Sequence, residues 1–173
     1  MRGWLLVAIV FLGGCSCSRS PTAEPEASKS PPTQAPRPQE TVAAEEQASL
    51  DRARAKNSAA LSQAASTLHA YLAATAAKDW GKADAYWVGG KPPPRPDDYS
   101  VRGIQDMGSM RIDSETPKPL DEELPTRAVE IPLTLRVQGD TGMREIKGWY
   151  RLRRKVSDDG WEITSASMRP SLD

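Results

Sequence analysis

Side chains suited to metal binding and redox chemistry are scarce in this chain. Its 173 residues include two cysteines, Cys15 and Cys17, and a single histidine, His69. A structural zinc site takes about four such ligands, so these three residues do not make one. The sequence therefore predicts neither a metal nor a cofactor, and the two thiols need another explanation.

His69 is the candidate for acid–base chemistry, because histidine is the only side chain whose unperturbed pKa lies near neutrality. Tyr71 lies in the same predicted helix, and with His69, Trp87 and Tyr150 it forms the candidate pocket lining. The structural interpretation is favoured for both residues: His69 is typical of a histidine at the boundary of the core, and Tyr71 is typical of a core tyrosine. The predicted inward positions of the strands contain no Asp or Glu. With no base there, and with no G-x-S-x-G nucleophile elbow, the sequence predicts a protein that is not an enzyme.

A run of cations follows one side of a predicted strand near the C-terminus. Alternation places these residues on the face opposite Tyr150 and Leu152: Lys147, Trp149, Arg151, Arg153 and Lys155. A tryptophan flanked by cations suits an anionic partner surface, such as lipopolysaccharide phosphates or cell-wall carboxylates. The run is also typical of a solvated sheet face that opposes aggregation. In that case the cations pair with acidic side chains, for which the candidates are Asp113, Glu115, Asp121, Glu122 and Glu123.

The N-terminus resembles a secretory signal peptide. Arg2 precedes an unbroken apolar stretch from Trp4 to Leu12. A membrane-spanning helix needs about 20 apolar residues, so this stretch is too short to be one. A positive charge, a short apolar region and then small residues are typical of a cleaved secretion signal.

The sequence Leu12-Gly13-Gly14-Cys15 resembles the lipobox of bacterial lipoproteins. The resemblance implies cleavage between Gly14 and Cys15, and lipidation of Cys15 by acyl chains such as palmitate, which would anchor the chain firmly in a membrane. Ser16, and not Asp, follows the cysteine, which in such proteins implies the outer membrane, facing the periplasm. Cys17 is then left without a partner in the chain. The alternative is an ordinary secreted protein with cysteines near its cleavage site.

The segments after the cysteine differ sharply in composition. Residues 15–40 are predicted to be a disordered tether, because Ser18–Glu40 contains six prolines and no large apolar side chain. Residues 41–57 are predicted to be a charged helical extension with little to bury. The chain has 23 basic and 23 acidic side chains, and loss of the signal peptide removes only Arg2 from this balance. No overall charge therefore favours binding to nucleic acid.

The rest of the chain predicts an α+β domain over residues 58–169, followed by a short tail at 170–173. Helical spacing of apolar residues begins at Leu61, and a second helix is expected over 82–88. Two alternating segments then predict strands over 129–137 and 146–156, with a last strand from Trp161. Pro132 has no backbone N–H and cannot donate a hydrogen bond to a neighbouring strand, so a β-bulge or a sheet edge is expected there. Arg154 falls on an apolar face and needs a carboxylate partner or a local bulge.

This order of elements resembles the nuclear transport factor two-like superfamily, which includes ketosteroid-isomerase-like and SnoaL-like proteins. The segments that carry the resemblance are LHAYLAATAAKDWGKADAYW and GWYRLRRKVSDDGWEITSASM. It implies a cone fold, in which helices pack inside a curved antiparallel sheet, with a pocket at the open end and often a homodimer. Because the superfamily includes enzymes and non-enzymes, the fold alone does not assign an activity.

The sequence predicts a membrane-anchored lipoprotein whose domain is a non-catalytic binding or accessory module of the cell envelope. Its partner would be an envelope protein or a small amphiphile. Two alternatives remain open: a small-molecule isomerase or hydrolase of the ketosteroid-isomerase-like group, and an immunity lipoprotein that neutralises a toxin. An acid or a histidine pointing into the pocket would favour the enzyme.

Overall fold

The computed structural model describes residues 38–94 and 97–171, with side chains from residue 41 onward. The predicted signal peptide, the predicted lipidation site at Cys15 and residues 15–37 of the predicted tether lie outside the described residues. Residues 38–40, predicted as the end of the disordered tether, are helical instead. Within the part described, no helix is both long enough and apolar enough to cross a membrane.

Helix α1 runs from Pro38 to Ala76 without a break. Its first half is almost entirely exposed, and burial begins at Ala60. The buried side chains of its second half follow helical spacing: Ala60, Ala64, Leu68, Tyr71, Leu72, Ala74 and Thr75. This stripe is rotated by about one residue from the predicted one, which brings Tyr71 from the edge of the stripe into its middle.

Short helices follow α1. Helix α2 spans Trp80–Asp84 and is capped by the side chain of Asp79, which accepts from the backbone N–H of Lys82 at 3.2 Å. The prediction had placed this helix at 82–88. The helix ends early because the carbonyl of Tyr86 accepts a hydrogen bond from Ile163 at 2.7 Å, which draws the chain into extended backbone beside the last strand. A 3-10 turn at Val88–Gly90 and helix α3 at Tyr99–Arg102 follow.

Five antiparallel strands form one sheet. They are β1 at Ser109–Ser114, β2 at Lys118–Pro119, β3 at Ala128–Gly139, β4 at Gly142–Arg154 and β5 at Trp161–Pro170. The order is β1-β3-β4-β5, and β2 extends the β1 side of β3. The connection from β4 to β5 runs over residues 155–160.

Pro132 lies in the middle of the sheet, contrary to the expectation of a bulge or an edge. Its pairing with Trp149 on β4 belongs to a continuous register. On the other side, the pairing of β1 ends opposite Leu133 and that of β2 begins opposite Glu130, so Pro132 faces the gap between them. Its carbonyl there accepts from Glu115 N–H at 2.9 Å. The N–H that proline lacks therefore falls where no ladder partner needs it.

The core lies between α1 and one face of the sheet. On the sheet side it is built from alternating residues: Val129, Ile131, Leu133, Leu135 and Val137 of β3, Ile146, Tyr150 and Leu152 of β4, and Trp161, Ile163, Ala166 and Met168 of β5. The prediction of an α+β fold with an N-terminal helix packed on an antiparallel sheet is thus confirmed.

Candidate functional site

Two tyrosines and an aspartate meet inside the core. Tyr71 is contributed by α1, Tyr150 by β4, and Asp98 by the residue that precedes α3. Both phenols donate hydrogen bonds to the same carboxylate oxygen, Oδ2 of Asp98, and the bond from Tyr150 is 3.2 Å long. All three residues have 0% exposed surface. The cluster therefore combines a titratable acid with two hydrogen-bond donors in a place closed to water.

Aromatic rings surround these polar atoms. The ring of Tyr71 contacts Tyr150 and Trp87 edge to face, at 5.6 and 6.0 Å between ring centroids. Tyr86 lies at 6.5 Å on a further side. Edge-to-face packing at these distances is favourable beyond the burial of area alone. The rings hold the phenols in place and exclude solvent from the carboxylate.

Arg102 connects this cluster to the surface. Its Nη1 lies 3.5 Å from the Tyr71 hydroxyl, and its Nη2 lies 2.6 Å from Oδ1 of Asp84. The guanidinium also stacks over the ring of Trp80 at 4.9 Å. Asp98 and Arg102 lie at the two ends of α3, so this single short helix presents one acid and one base to the cluster.

Burial sets the protonation of the cluster. It raises the pKa of Asp98, because desolvation outweighs the hydrogen bonds from the tyrosines and the charge of Arg102. Desolvation, together with the neighbouring carboxylate, raises the pKa of Tyr71 to about 12. The same causes raise the pKa of Tyr150 well above its usual value. Both phenols are therefore protonated near neutral pH and remain donors.

Two polar atoms of this cluster have no hydrogen bond. Among the described residues, Oδ1 of Asp98 and Nε1 of Trp87 are buried without a partner. Native interiors satisfy nearly all such groups. Both tyrosines therefore donate to the same oxygen of Asp98, and neither donates to the other oxygen.

His69 does not belong to the cluster, which corrects its assignment to the pocket. It is exposed, and its Nε2 lies 3.0 Å from the hydroxyl of Ser114 on β1. The reason is helical geometry. Side chains of residues two apart in the sequence are rotated by about 200° around the helix axis, so they lie on nearly opposite sides of the helix. Once Tyr71 faces the core, His69 must face outward. Tyr71, Trp87 and Tyr150, the other residues of the candidate pocket, do lie together.

Asp98 is the residue that sequence reasoning missed. The search for an acid covered the inward positions of the strands, which indeed contain none. Asp98 instead comes from the loop after the proline-rich segment, where no periodicity indicates which residues are buried. Its position before a short helical stretch is the one feature of the sequence that could have drawn attention to it.

The outer face of β4 presents three of the predicted cations, Lys147, Arg151 and Arg153, and each pairs with a carboxylate of the sheet. Arg151 pairs with Glu130 at 3.0 Å, and Arg153 pairs with Glu162 at 2.8 Å. Lys147 pairs with a third acid, Glu145, at 2.6 Å. These partners lie on β3, β4 and β5, so they differ from the five acids that the sequence suggested.

Trp149 lies in the middle of this face, half-buried, with the Arg151 guanidinium 4.4 Å from its ring centroid. Its neighbours across the sheet are Pro132 on one side and Ser167 on the other. We call the side chains of Lys147, Trp149, Arg151 and Arg153 the β4 face. Its charge is largely compensated, which leaves the aromatic group as its distinctive feature.

Lys155 does not share this face, which corrects the prediction. β4 ends at Arg154, so Lys155 lies in the connection to β5. There it lines an open groove of about 530 Å³ together with exposed Leu124 and Val156. Arg154 has the carboxylate partner that it was expected to need, since its Nη1 lies 3.1 Å from Asp159. It also stacks over Trp161 at 5.6 Å.

The described residues contain no group of three or more His, Cys, Asp or Glu side chains arranged to hold a metal ion. Comparison with protein-family models, with curated proteins and with solved structures finds no match.

Proposed function

We propose that this protein is a lipoprotein of the outer membrane whose folded domain binds a partner in the periplasm without catalysing a reaction. The anchor is the lipidated Cys15, which becomes the first residue of the chain after signal cleavage. The residues that follow it, up to residue 40, connect it to the domain. The proposal includes a cone fold for the domain, as the order of its helices and strands suggests. The resemblance of residues 12–15 to a lipobox supports the lipid anchor. The closed structure of the core supports the proposal that the domain is not catalytic.

The observation that carries the non-catalytic assignment is the closure of the acidic cluster. A general acid or base must come within hydrogen-bond reach of its substrate. Tyr71, Asp98 and Tyr150 have no exposed surface, and aromatic rings fill the space beside them. His69 is exposed and bonded to Ser114, away from these groups. In this conformation the acid cannot reach a substrate.

The β4 face is the proposed binding surface, and an envelope protein is its proposed partner. Tryptophan and arginine are enriched among the residues that contribute most to protein interfaces, and here Trp149 and Arg151 are stacked together. Since the cations are paired with carboxylates, the face has both signs of charge and does not favour a polyanion. A mixed surface of this kind suits a protein partner with complementary charges.

Cross-linking in membranes, followed by recovery of the tagged full-length protein, tests this proposal. We expect a specific envelope protein to be recovered with the wild type and lost with Trp149→Ala, while the melting temperature stays unchanged. Tyr99→Ala is the matched control, because Tyr99 is an aromatic residue with 74% exposure on α3 rather than on the sheet. Equal recovery with Trp149→Ala and wild type would refute the role of the β4 face.

A small-molecule isomerase or hydrolase is the second candidate, and one observation favours it. Asp98, a carboxyl with a raised pKa, contacts a tyrosine of the first helix, so the acid missing from the strands is present in the core. For such an enzyme, α3 must move to admit a substrate. Turnover of small ketones or esters by the wild type, abolished in Tyr71→Phe, would replace the non-catalytic proposal with this one.

A further inference from the structure

Two hydrogen-bond donors meet at the carboxylate of Asp98, and a third donor lies beside one of them. The phenols of Tyr71 and Tyr150 both donate to its Oδ2, and Nη1 of Arg102 lies 3.5 Å from the Tyr71 hydroxyl. The walls are aromatic, with Trp87 packed edge-on against Tyr71. A few converging polar groups within apolar walls are the composition of a small-molecule binding site.

The carboxylate of Asp98 does not satisfy all the hydrogen-bonding groups around it. Within the described part of the chain, Oδ1 of Asp98 is an unpaired acceptor and Nε1 of Trp87 is an unpaired donor, and both are buried. Asp98 is attached to the backbone, so its two oxygens cannot be placed independently of α3. A free carboxylate could turn one oxygen toward the phenols and the other toward the indole N–H.

The segment that holds Asp98 in place is short. α3 has four residues. Two hydrogen bonds tie this segment to β5, one from the Ser100 hydroxyl to the carbonyl of Met168 at 2.7 Å and one from the Met168 N–H to the carbonyl of Asp97 at 2.9 Å. Elements with few tertiary contacts open locally at a lower free energy than core strands and long helices. Arg102, the last residue of α3, is paired with Asp84 at 2.6 Å, so the C-terminal end of α3 has an anchor that does not involve Asp98.

We propose that the place held by the Asp98 carboxylate is a binding site for a small carboxylic acid with an aromatic or apolar body, and that this ligand displaces Asp98. The ligand carboxylate accepts from Tyr71, Tyr150 and Trp87, and its body packs against the rings. Asp98 competes with the ligand, so the apparent affinity of the wild type is reduced by the fraction of molecules whose site is open. The site lies apart from the β4 face and does not depend on the partner proposed for it.

Benzoate is the test ligand, because it combines a carboxylate with one aromatic ring. The full-length protein with Asp98→Ala, which removes the internal competitor, is titrated by calorimetry beside the wild type. We expect the variant to bind benzoate roughly tenfold more tightly or better, and Tyr71→Phe in the same variant to weaken that binding. Benzamide is the control, since it has nearly the same shape without the charge, and it should not bind the variant better than the wild type.

Nuclear magnetic resonance of the wild type tests displacement directly, because withdrawal of Asp98 must shift the side-chain resonances of Tyr150 and Trp87. Equal benzoate affinity of the variant and the wild type, or no binding to either, would show that these donors form no carboxylate site. Binding to the variant alone, without shifts in the wild type at benzoate concentrations far above those that saturate the variant, would show that Asp98 is a permanent part of the core. If Asp98→Ala does not fold, the wild-type spectra decide, and unchanged resonances overturn the proposal.

Discussion

The pH dependence of stability should reveal the proton held by Asp98. Desolvation raises its pKa on folding, whereas an unfolded aspartate titrates near 3.9. Between these two values the folded state binds more protons than the unfolded state, so stability falls as pH rises. The contribution of Asp98 is therefore complete below about pH 4 and is lost as pH rises through the folded pKa. Each unit of pKa shift changes this contribution by about 1.4 kcal/mol.

Asp98→Asn isolates the effect, because the amide keeps an acceptor for the two phenols but cannot ionise. Two opposing changes act above the folded pKa of Asp98, where its carboxyl is ionised. A buried ion with an unpaired oxygen is removed, which stabilises the variant, and the new N–H groups lack acceptors, which costs about 1–3 kcal/mol. The difference in stability at a single pH therefore combines both changes. Its slope is the decisive quantity, since only the wild type loses stability as pH rises from about 4.

Urea unfolding, followed by tryptophan fluorescence at a series of pH values, measures this slope. We expect the wild-type free energy of unfolding, minus that of Asp98→Asn, to fall with rising pH and then to level off. Asp121→Asn is the control with the opposite sign. Partial burial opposes ionisation of Asp121, but hydrogen bonds from Thr126 and from backbone N–H groups lower its pKa. Its contribution is lost as pH falls. A flat or rising difference curve for Asp98 would refute the reasoning from burial.

Three further outcomes are expected. Cys15→Ser should release the protein from membranes or leave it uncleaved, whereas Cys17→Ser should do neither, and unchanged fractionation of the Cys15 variant would contradict the anchor. Trp161→Ala should lower the free energy of unfolding by about 3–5 kcal/mol, because its side chain is 2% exposed; melting within a few degrees of wild type would contradict this. Replacing Arg151 and Arg153 with Gln should change stability little, since exposed ion pairs contribute about 0–1 kcal/mol each, and a loss of several kcal/mol in urea unfolding would disprove that assignment.

Local patterns were sufficient to predict the main elements. The segment from Thr41 to Trp80 has neither Gly nor Pro, and it forms one helix as far as Ala76. The alternation from Val129 to Val137 marks β3, and its apolar members are all buried. Such periodicities report which side of an element meets the core, because they follow from the geometry of a single helix or strand. The α+β fold was therefore accessible from the sequence.

Tertiary structure decided the candidate site. Asp98 is 27 residues from Tyr71 and 52 residues from Tyr150 along the chain, and no local pattern relates them. The carboxylates that bind the cations of the β4 face were likewise fixed by strand register, which pairs Glu130 with Arg151 and Arg153 with Glu162. A periodic pattern specifies a face, whereas the identity of a contact depends on how separate elements pack. A loop residue has no period, so its burial is determined only when the chain has folded around it.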